Sequence, residues 1–99
     1  MFIKMLFLVH YILTDMNNHK FKMLKVIDVD YLKDYELLLK FNDGVRKLVD
    51  LRPYLTGKVF GELLDPEKFT QYGLTHTTIE WENGADLAPE FLYSIGANA

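Results

Sequence analysis

Residues 35–49 read YELLLKFNDGVRKLV, and this stretch decides the fold. Tyr35, Leu37, Leu39 and Phe41 alternate with Glu36 and Lys40, the two-residue period of a strand with one dry and one wet face. Asn42-Asp43-Gly44 follows, and its glycine is free to take the positive φ that a tight turn needs. Val45 to Val49 then reads as the returning strand, with Arg46 and Lys47 suited to a partly exposed position. Toward the N-terminus, Ile27, Val29 and Tyr31 alternate with Asp28 and Asp30 in the same way. The expected result is a three-stranded antiparallel meander.

Toward the C-terminus, Asp50 is placed to cap a turn whose Pro53 has no need of an N–H. Thr56-Gly57 breaks that piece, after which Val59, Phe60, Leu63 and Leu64 fall on one side of a helical wheel. Asp65-Pro66 restarts a turn carrying Phe69. Tyr72 to Thr75 and Thr78 to Trp81 read as a second β-hairpin around His76-Thr77, and Asn83-Gly84 supplies another turn. From Asp86 the pattern is helical: Asp86 as cap, Pro89 in the first turn, Leu87, Phe91 and Ile95 on one stripe, and Gly96 as the stop. The expected class is α+β in the order βββ-α-ββ-α: a meander, a short helical segment, a second hairpin and a C-terminal helix.

The chain has 99 residues, 49% of them apolar and 14% aromatic, which suits one globular domain and excludes intrinsic disorder. It has no cysteine, so disulfides, thiolate nucleophiles and thiolate metal sites are all excluded. A bacterial cytoplasmic setting is the expectation. The net charge is −3, and the first 22 residues hold three lysines against one aspartate, so the rest of the chain is more acidic than the whole. Its only two arginines are Arg46 and Arg52, and no basic run offers the row of phosphate contacts that direct nucleic-acid binding needs.

Met1 to Leu13, MFIKMLFLVHYIL, begins like a signal peptide, but no small-residue cleavage site follows and the apolar run is short of the roughly 20 residues that span a bilayer. Residues 1–22 are read as a leader or an extra N-terminal segment, and residues 23–99 as a single α+β domain. If the segment is instead an added strand or helix, Phe2, Ile3, Leu6, Phe7, Leu8 and Ile12 supply the apolar surface it would bury.

No catalytic residues, metal ligands or cofactor are expected from the spacing of reactive side chains. Asp28 and Asp30 share a strand face without a third ligand nearby. His76 has no second histidine at metal-binding spacing. Ser94, the sole serine, lies outside a nucleophile elbow. The stretch Ile79 to Glu90 is the least generic, with Trp81 and four carboxylates. One account of it is structural: Trp81 in the core, Asp86 as cap, and Glu90 at the positive end of the helix dipole. The other is an interaction surface of Trp81, Asp86, Glu90 and Tyr93, with Asp43 from the first hairpin turn, receiving a basic partner.

Phe41-Asn42-Asp43-Gly44, Val49-Asp50-Leu51, Phe60, Phe69 and the run IEWENGADLAPEFLY from Ile79 to Tyr93 together resemble the bacterial family called domain of unknown function 2442, over Met23 to Tyr93. The resemblance implies a small α+β sheet domain and carries no catalytic residue across. Some members continue into a helix-turn-helix, which implies transcriptional regulation, and genes of the family often stand beside another small protein in a toxin-antitoxin-like arrangement. With six residues after Tyr93 here, no DNA-reading helix pair is expected.

The leading expectation is a non-enzymatic interaction or accessory module, one half of such a two-gene pair, with a protein partner or a homodimer, no direct nucleic-acid binding and no membrane. The alternatives are a small-ligand or metal-binding enzyme using Asp43, Asp86 and Glu90, and a DNA-binding regulator acting through a partner. A chain beginning at Met23 is expected to fold with a cooperative melt, because both hairpins and both helices follow it. Loss of that transition would assign part of the core to residues 1–22.

Overall fold

Alternation and turn chemistry produce three consecutive strands, β1 (Val26–Lys33), β2 (Glu36–Phe41) and β3 (Arg46–Asp50), in a computed structural model that describes residues 23–99. The segment expected at residues 1–22 lies outside the described residues. The strands pair antiparallel, Leu37 facing Tyr31 and Val49, and Leu39 facing Val29 and Lys47. Gly44 takes φ +90° in the β2–β3 turn, where Val45 donates its N–H to Asp43 Oδ1 at 2.9 Å. Asn42 ties the start of β1 to this turn: its Oδ1 accepts from the Lys25 N–H and its Nδ2 donates to the Met23 carbonyl.

The expectation of Ile27 beside Val29 and Tyr31 on the inner face is corrected by a bulge. Register shifts between Val26 and Asp28 and again between Tyr31 and Lys33, so Val26 takes the inner place while Ile27 and Leu32 are left about half exposed. Tyr35 is likewise a turn residue, since Asp34 and Tyr35 both have positive φ, 48° and 68°. Such a backbone costs about 1–2 kcal/mol per non-glycine residue. Tertiary contacts hold Tyr35 in it: its hydroxyl donates to the Leu64 carbonyl, its ring meets Phe69 edge-on at 5.1 Å, and Arg52 lies over it.

After β3, a 3-10 turn at Arg52–Tyr54 is followed by α1 (Gly57–Phe60), a 3-10 turn at Gly61–Leu64 and α2 (Pro66–Phe69). Asp50 accepts the Arg52 N–H, and Asp65 caps α2 by accepting the Glu67 N–H. The single helical stripe expected for Val59, Phe60, Leu63 and Leu64 is broken by the change of helical type. Leu63 is buried, whereas Val59 and Leu64 stay exposed.

The second hairpin forms as read, β4 (Tyr72–Leu74) against β5 (Ile79–Trp81). Asp86 does not cap the last helix. It bridges back to Glu80, and α3 (Pro89–Ile95) starts after Ala88 with no side-chain cap. Gly96 ends α3 in extended conformation, φ −80°, for a reason other than turn freedom: an added Cβ would stand 2.7 Å from Lys47 Cβ and 3.1 Å from Val49 Cγ2. This close approach lets β6 (Ala97–Asn98), a strand the sequence pattern does not announce, pair with β3 and give the sheet order β1-β2-β3-β6.

Leu37, Leu39, Phe41 and Val49 form the inner face of this sheet, and Leu51, Leu55, Leu63, Phe69, Ile79, Trp81, Ala85 and Leu92 complete one core against it. Each of the valine, leucine, isoleucine and phenylalanine side chains among them contributes about 1.5–3 kcal/mol by leaving water. Trp81 is 2% exposed, and its indole N–H donates to the Phe69 carbonyl at 2.8 Å. Trp81→Ala is expected to cost about 3–5 kcal/mol, with Trp81→Phe in between because it fills most of the space but orphans that carbonyl. Thermal melts of the three proteins side by side check this; an unchanged alanine variant would refute it.

Candidate interaction surface

The Asn83-Gly84 turn sets the geometry of an acidic stretch of surface around Glu80, Glu82 and Asp86. Gly84 takes φ +89°, Asn83 Oδ1 accepts the Ala85 N–H, and Asn83 Nδ2 donates to both the Val59 carbonyl and Glu62 Oε1. Trp81 donates its backbone N–H to the Ala85 carbonyl and accepts that of Gly84. The chain is thereby turned so that Asp86 stands opposite Glu80. Because Ile79 and Trp81 point inward, Glu80 points out, and both Glu80 and Asp86 are exposed.

Two adjoining hollows lie beside this turn. A small cleft of about 150 Å³ is lined by Glu62, Leu63, Lys68, Gln71, Glu82 and Asn83. A wider, open one includes Gln71, Tyr72, Glu80 and Glu82. Burial, and then the charge of nearby Asp30, raise the Tyr72 phenol above its ordinary pKa of 10.0. Acid thus lines both hollows, and among the described residues only Lys68 brings a cation to their walls.

Of the residues singled out from the sequence, the structure brings Asp43 and Tyr93 together: the Tyr93 hydroxyl donates to Asp43 Oδ2 at 2.8 Å. Lys47 Nζ sits 4.6 Å above the Tyr93 ring, which also meets Phe41 edge-on. Asp43 is thus engaged through both oxygens. Trp81 is interior and takes the structural account given above, acting as the rigid base beneath Glu80 rather than as a contact. Glu90, in the first turn of α3, has Oε1 buried with no hydrogen-bond partner among the described residues. Ser94 donates its hydroxyl to the Phe91 carbonyl.

Asp43, Asp86 and Glu90 do not converge: among the described residues no group of three His, Cys, Asp or Glu is arranged to hold a metal ion. Glu80 and Glu82 are the contributors that reasoning from sequence passed over. The available signal was the strand Ile79–Trp81 running directly into Asn83-Gly84, since such a turn returns the chain through Ala85-Asp86 and sets two carboxylates opposite each other. Among the described residues no helix is long and apolar enough to cross a membrane.

Comparison with known proteins gives one finding. Residues 26–97 match the family model described as protein of unknown function (DUF2442). No curated protein and no solved structure matches the chain. The matched span takes in β1 to β5, α1 to α3 and the whole Glu80–Asp86 turn, and on that extent the chain belongs to the DUF2442 family.

Proposed function

We propose that this domain is a non-enzymatic protein-interaction module, the accessory half of a two-component pair of toxin-antitoxin-like organisation, and that it receives a basic partner on the surface around Glu80, Glu82 and Asp86. One observation carries the reading: Glu80 and Asp86 lie directly opposite each other, exposed, on a hairpin made rigid by buried Trp81. Like charges placed so destabilise an isolated sheet by about 0.2–1 kcal/mol. A lysine or arginine from another protein relieves that repulsion, and the fixed backbone spares the partner the entropy of ordering its target. Trp81 supports this surface from beneath. Asp86 belongs to it, and Glu90, Tyr93 and Asp43 extend the proposed contact area along α3 and the first hairpin turn. A cytoplasmic setting and action without direct DNA contact complete the proposal.

The experiment is co-purification of the full chain from the cells that make it, beside the variant carrying Glu80→Gln and Asp86→Asn. The parent is expected to bring down a basic protein in stoichiometric amount. The variant is expected to melt higher by an amount matching about 0.2–1 kcal/mol and to lose that protein. A variant that keeps the partner, or melts lower, would overturn the assignment. Retention of duplex DNA by the protein alone, weakening steeply with added salt, would favour the regulatory alternative instead.

A further inference from the structure

The four-stranded sheet packs its core on one face, and the side chains on its other face form three rows across the strands. The register places Asp28 beside Lys40 and Lys40 beside Arg46 in one outer row. Asp30, Leu38, Leu48 and Ala97 make the middle row. Lys33, Glu36 and Asp50 make the other outer row. Leu48 is 36% exposed, Leu38 and Glu36 are half-buried, and the remaining members are exposed.

The geometry points to a second copy of this chain as the occupant of this face, related by a two-fold axis that runs along the middle row. A face-to-face pair about that axis reverses the strand direction and lays each outer row on the opposite outer row of its partner. On β1, Asp28 then meets Lys33; on β2, Lys40 meets Glu36; on β3, Arg46 meets Asp50. Every charge in one outer row falls on the opposite charge, while Leu38 and Leu48 meet their own copies at the centre. An axis along the strands would instead set Lys40 on Arg46 and Glu36 on Asp50, and is disfavoured. Asp30, at the β1 end of the axis, is the single like-charge meeting.

The monomer also carries a strain that this pairing relieves. Lys40 stands directly opposite Arg46, and Glu36 directly opposite Asp50, and like charges in those positions repel. The second copy gives each of these four groups an opposite charge from outside the sheet. The rows span about 14 Å across the strands and about 13 Å along them, a small patch beside the roughly 800 Å² a side of a standard interface, so association is weak and reversible. This surface is distinct from the acidic one around Glu80 and Asp86, so either assignment can fail alone.

Sedimentation velocity on the full chain, from micromolar to millimolar concentration, is the test. The parent is expected to pass from monomer to dimer. Lys40→Glu and Glu36→Lys are each expected to weaken the dimer about tenfold or more. An equimolar mixture of the two is expected to recover it as a heterodimer, because each altered charge then meets its complement. Each variant gains an opposite charge on β3, Arg46 or Asp50, and a like charge on β1, Asp28 or Lys33, so thermal melts serve to verify that it folds. A parent that stays monomeric, association beyond a dimer, single variants that associate like the parent, or a mixture that recovers nothing would each overturn the inference.

Discussion

The hydrogen bond from the Trp81 indole to the Phe69 carbonyl fixes where the second half of the chain sits. Phe69 lies within ring contact of Tyr31, Tyr35 and Trp81, so this short helical turn joins the first hairpin to the second. Trp81 and Phe69 both belong to the core packed against the four-stranded sheet. The helical segment, the β4–β5 hairpin and α3 consequently gather on the face made by Leu37, Leu39, Phe41 and Val49. Among the described residues the opposite face stays open, with Asp28, Lys40, Arg46, Leu48 and Asp50 exposed.

Much of this arrangement was legible in the residues. Period-two alternation around Leu37 and Leu39 gave the meander, and Pro66 and Pro89 sit in first helical turns as their missing N–H groups require. The errors share a cause, in that backbone geometry set by distant residues overrode local pattern. Ile27 alternates correctly but is displaced by a bulge that only pairing with β2 reveals. Tyr35 has strand chemistry yet is held in a turn by Leu64, Phe69 and Arg52. Asp86 has cap chemistry but is drawn to Glu80 by the Asn83-Gly84 turn. β6 has no apolar signal at all, and it exists because Gly96 lets the end of α3 lie against Lys47 and Val49. Around the candidate surface, Trp81 and Asp86 stand out in the sequence as residue types, while the alignment of Glu80 with Asp86 is readable only by following the strand Ile79–Trp81 through the Asn83-Gly84 turn.

The two surfaces drawn from the structure share a physical logic. Each holds like charges opposite each other across paired backbone, at a small cost to the isolated domain. A small domain has about 5–15 kcal/mol of total stability, and exposed repulsions of a few tenths each are tolerable within it. Positions that lower stability without serving the core are where binding and stability commonly trade against each other.

The left-handed turn at Asp34-Tyr35 bears on the order in which the chain assembles. The β2–β3 hairpin closes over four residues with Gly44 at the demanding position, and its turn bonds come from Asp43 and Val45 themselves. The β1–β2 hairpin closes over a shorter loop but on two strained residues, and the contacts that offset the strain lie near Leu64 and Phe69, about thirty positions away along the chain. Bringing those segments together carries a loop-closure entropy that β2–β3 does not face. That difference favours a transition state built on β2 and β3, with β1 joining once the helical segment has docked, and φ-values at Leu39, Val49 and Val29 are then expected to be high, high and low.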